Sequence, residues 1–116
     1  MSQDVTIYHN PRCSKSRQTL GLIEEKGIKP EIVLYLDTPP SESEISDILG
    51  KLDISARELM RKNEDAYKAL GLKDEESEDK LIQAMHQNPK LIERPIVVKG
   101  KKAVLGRPPE NVDSIL

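Results

Sequence analysis

The chain has 116 residues, 36% hydrophobic and 33% charged, with no Phe, no Trp and a formal net charge of −2. One domain of this size, spanning 1–116, holds a real core, which Leu, Ile and Val must fill. The slight acidic excess speaks against a nucleic-acid partner, and no apolar run approaches the ~20 residues of a membrane span. The first ten residues, MSQDVTIYHN, lack the basic and apolar regions of a signal peptide, so a cytoplasmic location is expected.

Val5–Tyr8 reads as a short buried strand, broken by His9-Asn10-Pro11. Ser14 and Ser16 both suit an N-cap, and a helical pattern runs through Leu20 and Ile23 to Gly27, a C′ glycine. Glu31–Leu36 reads as a second strand, parallel to the first because a helix joins them. Ser41-x-x-Glu44 and Ser55-x-x-Glu58 are capping boxes, the second leading into Leu59 and Met60. Asn63 and Gly71 are stops; Ser77 caps a further helix, which Asn88-Pro89 ends. These helices form an insertion at about 41–88. Ile96–Val98 and Ala103–Leu105 then make an antiparallel hairpin, and Pro109 opens a short closing helix. The order is βαβ, helices, ββα.

Cys13, the only cysteine, sits where the first strand hands over to a helix. Free backbone N–H groups and the positive end of the helix dipole meet there, which favours anions and lowers a thiol's pKa. Arg12, Lys15 and Arg17 surround the thiol, and no Asp or Glu occurs between Asp4 and Glu24. Every local influence is therefore expected to favour thiolate. A lone cysteine excludes an internal disulfide or C-x-x-C couple, so any redox work needs a thiol from another molecule.

Arg61, Arg94 and Arg107 are surface arginines if taken singly, but together they offer the bidentate guanidinium partners an oxyanion wants. His9 reads either as a general base or as the source of an orienting hydrogen bond within the loop. His86, near a helix end, reads as an exposed histidine. One Cys and two separated His leave no metal-ligand spacing, and no Gly-rich nucleotide loop occurs, so no bound cofactor is expected.

IYHNPRCSKSR, LYLDTPPSESE, LMRKNEDAYKALGL, LIERPIVV and LGRPPENV, in this order, resemble the glutaredoxin-dependent arsenate reductases over essentially the whole chain. The resemblance implies an α/β, thioredoxin-like fold with a mixed four-stranded sheet. It implies that Cys13 attacks arsenate and that Arg61, Arg94 and Arg107 hold the oxyanion. By the resemblance His9 and Ser16 would support the thiolate, as Arg17 would by its local charge, and the Arg94-Pro95 peptide would be cis. Glutathione would be the co-substrate and glutaredoxin the protein partner. One departure is local: family members can carry Gly-Thr-Ser after the cysteine, where this chain has Ser14-Lys15-Ser16. Relatives also include glutathione-dependent thiol/disulfide reductases and redox-related regulatory modules. Retention of the three arginines favours arsenate.

Overall fold

The computed structural model describes residues 5–116; Asp4, which bounds the acid-free stretch, lies outside the described residues. The chain divides into two compact units. One takes the described residues up to Thr38 together with Arg94–Leu116, and the other is Pro39–Glu93.

The first unit is built on a mixed four-stranded sheet, β1 (Val5–Tyr8), β2 (Glu31–Val33), β3 (Ile96–Lys99) and β4 (Lys102–Leu105), in the order β2-β1-β3-β4. β1 pairs parallel with β2 and antiparallel with β3, and β3 pairs antiparallel with β4. This is the thioredoxin-like arrangement that the resemblance implies, and it agrees with the βαβ and ββα order. β2 is shorter than the apolar run suggests: Leu34–Asp37 turn away from the sheet, with the Asp37 and Thr38 N–H groups both donating to the Leu34 carbonyl. Apolar, β-branched composition marks residues that suit a strand, but the ladder ends where the partner strand ends, at Tyr8 opposite Val33.

Helix α1 (Ser14–Glu25) joins β1 to β2. It ends in a Schellman motif, with Gly27 at φ 78 and its N–H on the Glu24 carbonyl, and the Ile28 N–H on the Ile23 carbonyl. Alternation along β1 puts Val5 and Ile7 on one face, where they pack with Val97, Ile23 of α1 and Val112 of the closing 3₁₀ turn, Pro109–Ser114. Burying each such side chain contributes about 1.5–3 kcal/mol.

Register carries the functional consequence. Tyr8 stands opposite Ile96, and Ile96 opposite Leu105. The three segments that continue from this row, His9–Cys13, Arg94-Pro95 and Gly106-Arg107, therefore leave the sheet at the same end.

The second unit contains α2 (Glu42–Leu52), α3 (Ala56–Leu59), α4 (Asp65–Ala69) and α5 (Glu78–Gln87), with α2 and α3 packed on α5. Ile45, Ile48, Leu49, Leu59, Leu81, Ile82 and Met85 are buried. Both capping boxes form: Ser41 and Ser55 each accept from the backbone N–H of the glutamate three residues on, and each glutamate reaches back to the serine N–H. Gly71, at φ 65, closes the α4 region as its sequence position suggests. The helix after Ser55 stops earlier than expected. Met60 is extended and forms a bridge with Ile92, so Asn63 is not the stop. Pairing of the Arg61 N–H with the Leu91 carbonyl at 2.7 Å pulls that segment out of the helix.

Candidate active site

The loop after β1 is folded by its own groups. The His9 N–H extends the β1–β2 pairing to the Val33 carbonyl at 2.9 Å. The Asn10 carbonyl accepts the Cys13 N–H, and the Asn10 side-chain oxygen accepts the Arg12 N–H, both at 3.0 Å. This Asx-type turn explains why Asn10-Pro11 ends the strand. Cys13 itself is the N-cap of α1, with extended backbone and no side-chain cap bond. This corrects the expectation that Ser14 or Ser16 caps the helix. Ser14 is its first residue and Ser16 lies inside its first turn.

Ser16 is fully buried instead. Its hydroxyl accepts the Asn10 N–H at 3.0 Å and is hydrogen-bonded to His9 Nδ1 at 2.6 Å. His9 thus makes the orienting bond within the loop. Burial first, and then the positive charge of Arg17, hold the His9 imidazole below its ordinary pKa, so the ring is neutral at pH 7. Arg17 Nη1 donates to the Pro11 carbonyl at 2.8 Å.

The Cys13 thiol lies below its ordinary pKa, but not for the reasons its sequence neighbours suggest. Burial is the largest influence and pushes it up, so not every local influence favours thiolate. The Ser16 N–H, a hydrogen bond and the positive charge from Arg94, and the Lys15 N–H together outweigh burial. The open helix N-terminus contributes as expected, through the Ser16 and Lys15 amides. The charge comes from Arg94, 81 positions along the chain, rather than from Arg12, the Lys15 side chain or Arg17. Iodoacetamide alkylation of Cys13 is therefore expected to show its rate midpoint below the value of about 8.5 for a free thiol. A lowered pKa fills the thiolate at lower pH, so the curve shifts to the acid side. A midpoint at or above the free value would remove the activated-thiolate argument.

Arg94 holds the Cys13 thiol below its ordinary pKa, and its Nε and Nη1 are buried with no hydrogen-bond partner among the described residues. Arg107 stands beside it, with Nη1 donating to the Arg94 carbonyl at 3.4 Å. The structure thus brings Cys13, Arg94 and Arg107 together at one end of the sheet. Arg61 belongs to the other unit, where its guanidinium pairs with Glu64 at 2.6 Å and reaches Glu93 at 3.8 Å. His86 is half-buried, bonded through Nδ1 to the Pro40 carbonyl at 2.8 Å, and so is not the exposed histidine its helix-end position suggests. The Arg94-Pro95 peptide is cis, and so is Arg107-Pro108.

A family model described as the ArsC family matches residues 8–115. The chain belongs to the ArsC family. Among relatives of this ArsC-family chain, an Escherichia coli K12 protein described as the uncharacterized protein YfgD is 58% identical, over 100% of this chain and 99% of its own. An arsenate reductase of Neisseria meningitidis serogroup A is 51% identical, over 97% of this chain and 98% of its own. Among solved structures, the arsenate reductase from Vibrio cholerae superposes with a TM-score of 0.96 at 49% identity, covering 100% of both chains.

Two residues packed together in the sheet unit carry no mark in the elements predicted above, Thr19 and Gly106. Thr19 is fully buried; its hydroxyl faces the Lys15 carbonyl at 2.8 Å and the Gly106 carbonyl at 3.1 Å. Gly106 has no room for a side chain, since a Cβ there would lie 2.6 Å from Thr19 Oγ1 and 2.8 Å from Pro95 Cγ. Gly106→Ala is accordingly expected to cost about 1–3 kcal/mol of stability by overpacking. Chemical denaturation measures it; an unchanged midpoint would show that these side chains yield freely. The signal in the sequence is the Gly-Arg-Pro-Pro run, where a glycine just after a strand marks a close approach.

Proposed function

We propose that this protein reduces arsenate to arsenite through a covalent Cys13–arsenate adduct, with glutathione and glutaredoxin as external thiols. The observation that carries the reading is Arg94, which lowers the Cys13 pKa and has Nε and Nη1 buried with no hydrogen-bond partner among the described residues. Burying guanidinium N–H groups without acceptors is costly, and an oxyanion reacting at the sulfur supplies those acceptors. The names carried by the relatives from Neisseria and Vibrio point to the same oxyanion.

In this reading the Cys13 thiolate attacks arsenic, forming an S–As bond and releasing one oxygen as water after protonation. Arg94 and Arg107 offset the charge of the adduct and of the transition states beside it. Reduction of As(V) to As(III) takes two electrons, and they come from two sulfurs. One is Cys13. The second comes from glutathione, because the chain has no other cysteine. The resulting disulfide between Cys13 and glutathione is reduced by glutaredoxin, freeing the thiolate. Nothing in this sequence of steps calls for a bound cofactor. His9 and Ser16 hold the loop around the sulfur, and the Ser16 N–H lowers its pKa.

Steady-state turnover of arsenate in the presence of glutathione and glutaredoxin tests the proposal. Turnover that depends on both thiol components supports it. Reduction of a glutathionylated peptide without any arsenate turnover would replace it with the thiol/disulfide reductase reading.

A further inference from the structure

Thr19 holds one proton between two carbonyls that belong to different parts of the sheet unit. The Lys15 carbonyl, 2.8 Å away, lies in the turn of α1 that follows Cys13. A bond to the carbonyl four residues back is the ordinary place for a threonine hydroxyl in a helix, and satisfies it fully. The Gly106 carbonyl, 3.1 Å away, lies 87 positions along the chain, just after β4. Sharing the proton with it needs the close approach that only glycine at 106 permits. Gly106 is committed on its other side too, its N–H donating to the Pro95 carbonyl at 2.9 Å. A continuous path of hydrogen bonds thus runs from the helix that starts at Cys13, through Thr19 and Gly106, to Pro95. Its far end is flanked by Arg94 and its middle by Arg107, two arginines joined by the bond from Arg107 to the Arg94 carbonyl.

We propose that Thr19 is a positioning residue, whose hydroxyl sets where Arg94 and Arg107 stand relative to the Cys13 sulfur. The physical reason is leverage. The sulfur, the Arg94 guanidinium and Gly106 lie on separate segments, and sheet pairing stops before each of them. Beyond the last paired row, something else must hold α1 against the Gly106-Arg107 segment. Thr19 is a fully buried polar side chain at that junction, and it touches neither the sulfur nor a guanidinium in any hydrogen bond. For arsenate affinity the inference rests on the function proposed above; for the geometry of the thiolate it does not.

The test separates hydroxyl from bulk. Thr19→Val keeps the methyl and loses the hydroxyl; Thr19→Ser does the reverse. Iodoacetamide alkylation of Cys13 against pH reads the sulfur–Arg94 geometry without any oxyanion, and arsenate KM and kcat read the cradle. The valine variant is expected to move the alkylation midpoint up by roughly half a pH unit and to raise KM about threefold or more, with kcat less affected. The serine variant is expected to match the parent in both. The opposite ranking, serine impaired and valine unchanged, would show that Thr19 acts only as packing and would overturn the proposal. If the valine variant does not fold, Thr19→Ala against Thr19→Ser decides, since both lack the methyl: equal midpoints overturn it, and a higher midpoint in the alanine variant upholds it. If arsenate is not turned over at all, the function proposed above fails, and the alkylation ranking still judges Thr19.

Discussion

Cys13→Ser is expected to bring arsenate reduction down to background. A serine hydroxyl stays protonated where a thiol whose pKa is lowered by the Ser16 and Lys15 amides and by Arg94 ionises, and no second cysteine stands in for it. Misfolding is not the expected cause of the loss. Cys13 occupies the N-cap of α1 without a side-chain cap bond, and serine is among the preferred residues there. The variant should therefore melt at or slightly above the temperature of the parent protein while being inactive. Substantial turnover by a folded Cys13→Ser protein would mean that the nucleophile is not this sulfur, and the covalent mechanism would have to be abandoned.

Arg94→Ala carries the second large expectation. Arg94 lowers the pKa of the Cys13 thiol, and its Nε and Nη1, without a hydrogen-bond partner among the described residues, are the groups proposed to meet the oxyanion. Charge-assisted hydrogen bonds contribute about 1.5–3 kcal/mol, so kcat/KM for arsenate should fall by roughly ten- to a hundredfold. The alkylation midpoint of Cys13 should rise at the same time, because a lost positive partner favours the protonated thiol. Arg94→Lys should recover part of the midpoint shift but little of kcat/KM, since lysine keeps the charge and loses the planar fork. Arg107→Ala and Arg61→Ala, assayed alongside, show whether these arginines share the task that the resemblance gives them. Parent-like kinetics in the Arg94→Ala protein would reduce Arg94 to a structural arginine.

The sequence by itself determined the elements whose causes are local. Ser41 and Ser55 announce their helices because the partner of each hydroxyl lies three residues away. Gly27 announces a helix end because only a left-handed residue closes that motif cheaply, and the apolar runs at Val5–Tyr8 and Ile96–Val98 announce strands. The position of Cys13 at a strand-to-helix junction was legible for the same reason. Tertiary structure alone decided what surrounds the sulfur. Arg12, Lys15 and Arg17 are near it in sequence, yet all are exposed, and Arg17 spends a donor on Pro11. Arg94 reaches it because β1 and β3 pair with Tyr8 opposite Ile96, and Gly106 joins Thr19 because β3 and β4 pair with Ile96 opposite Leu105. Helical and capping contacts repeat within four residues and leave a periodic trace. A strand register instead fixes which distant residues share an end of the sheet, and no spacing along the chain records that choice.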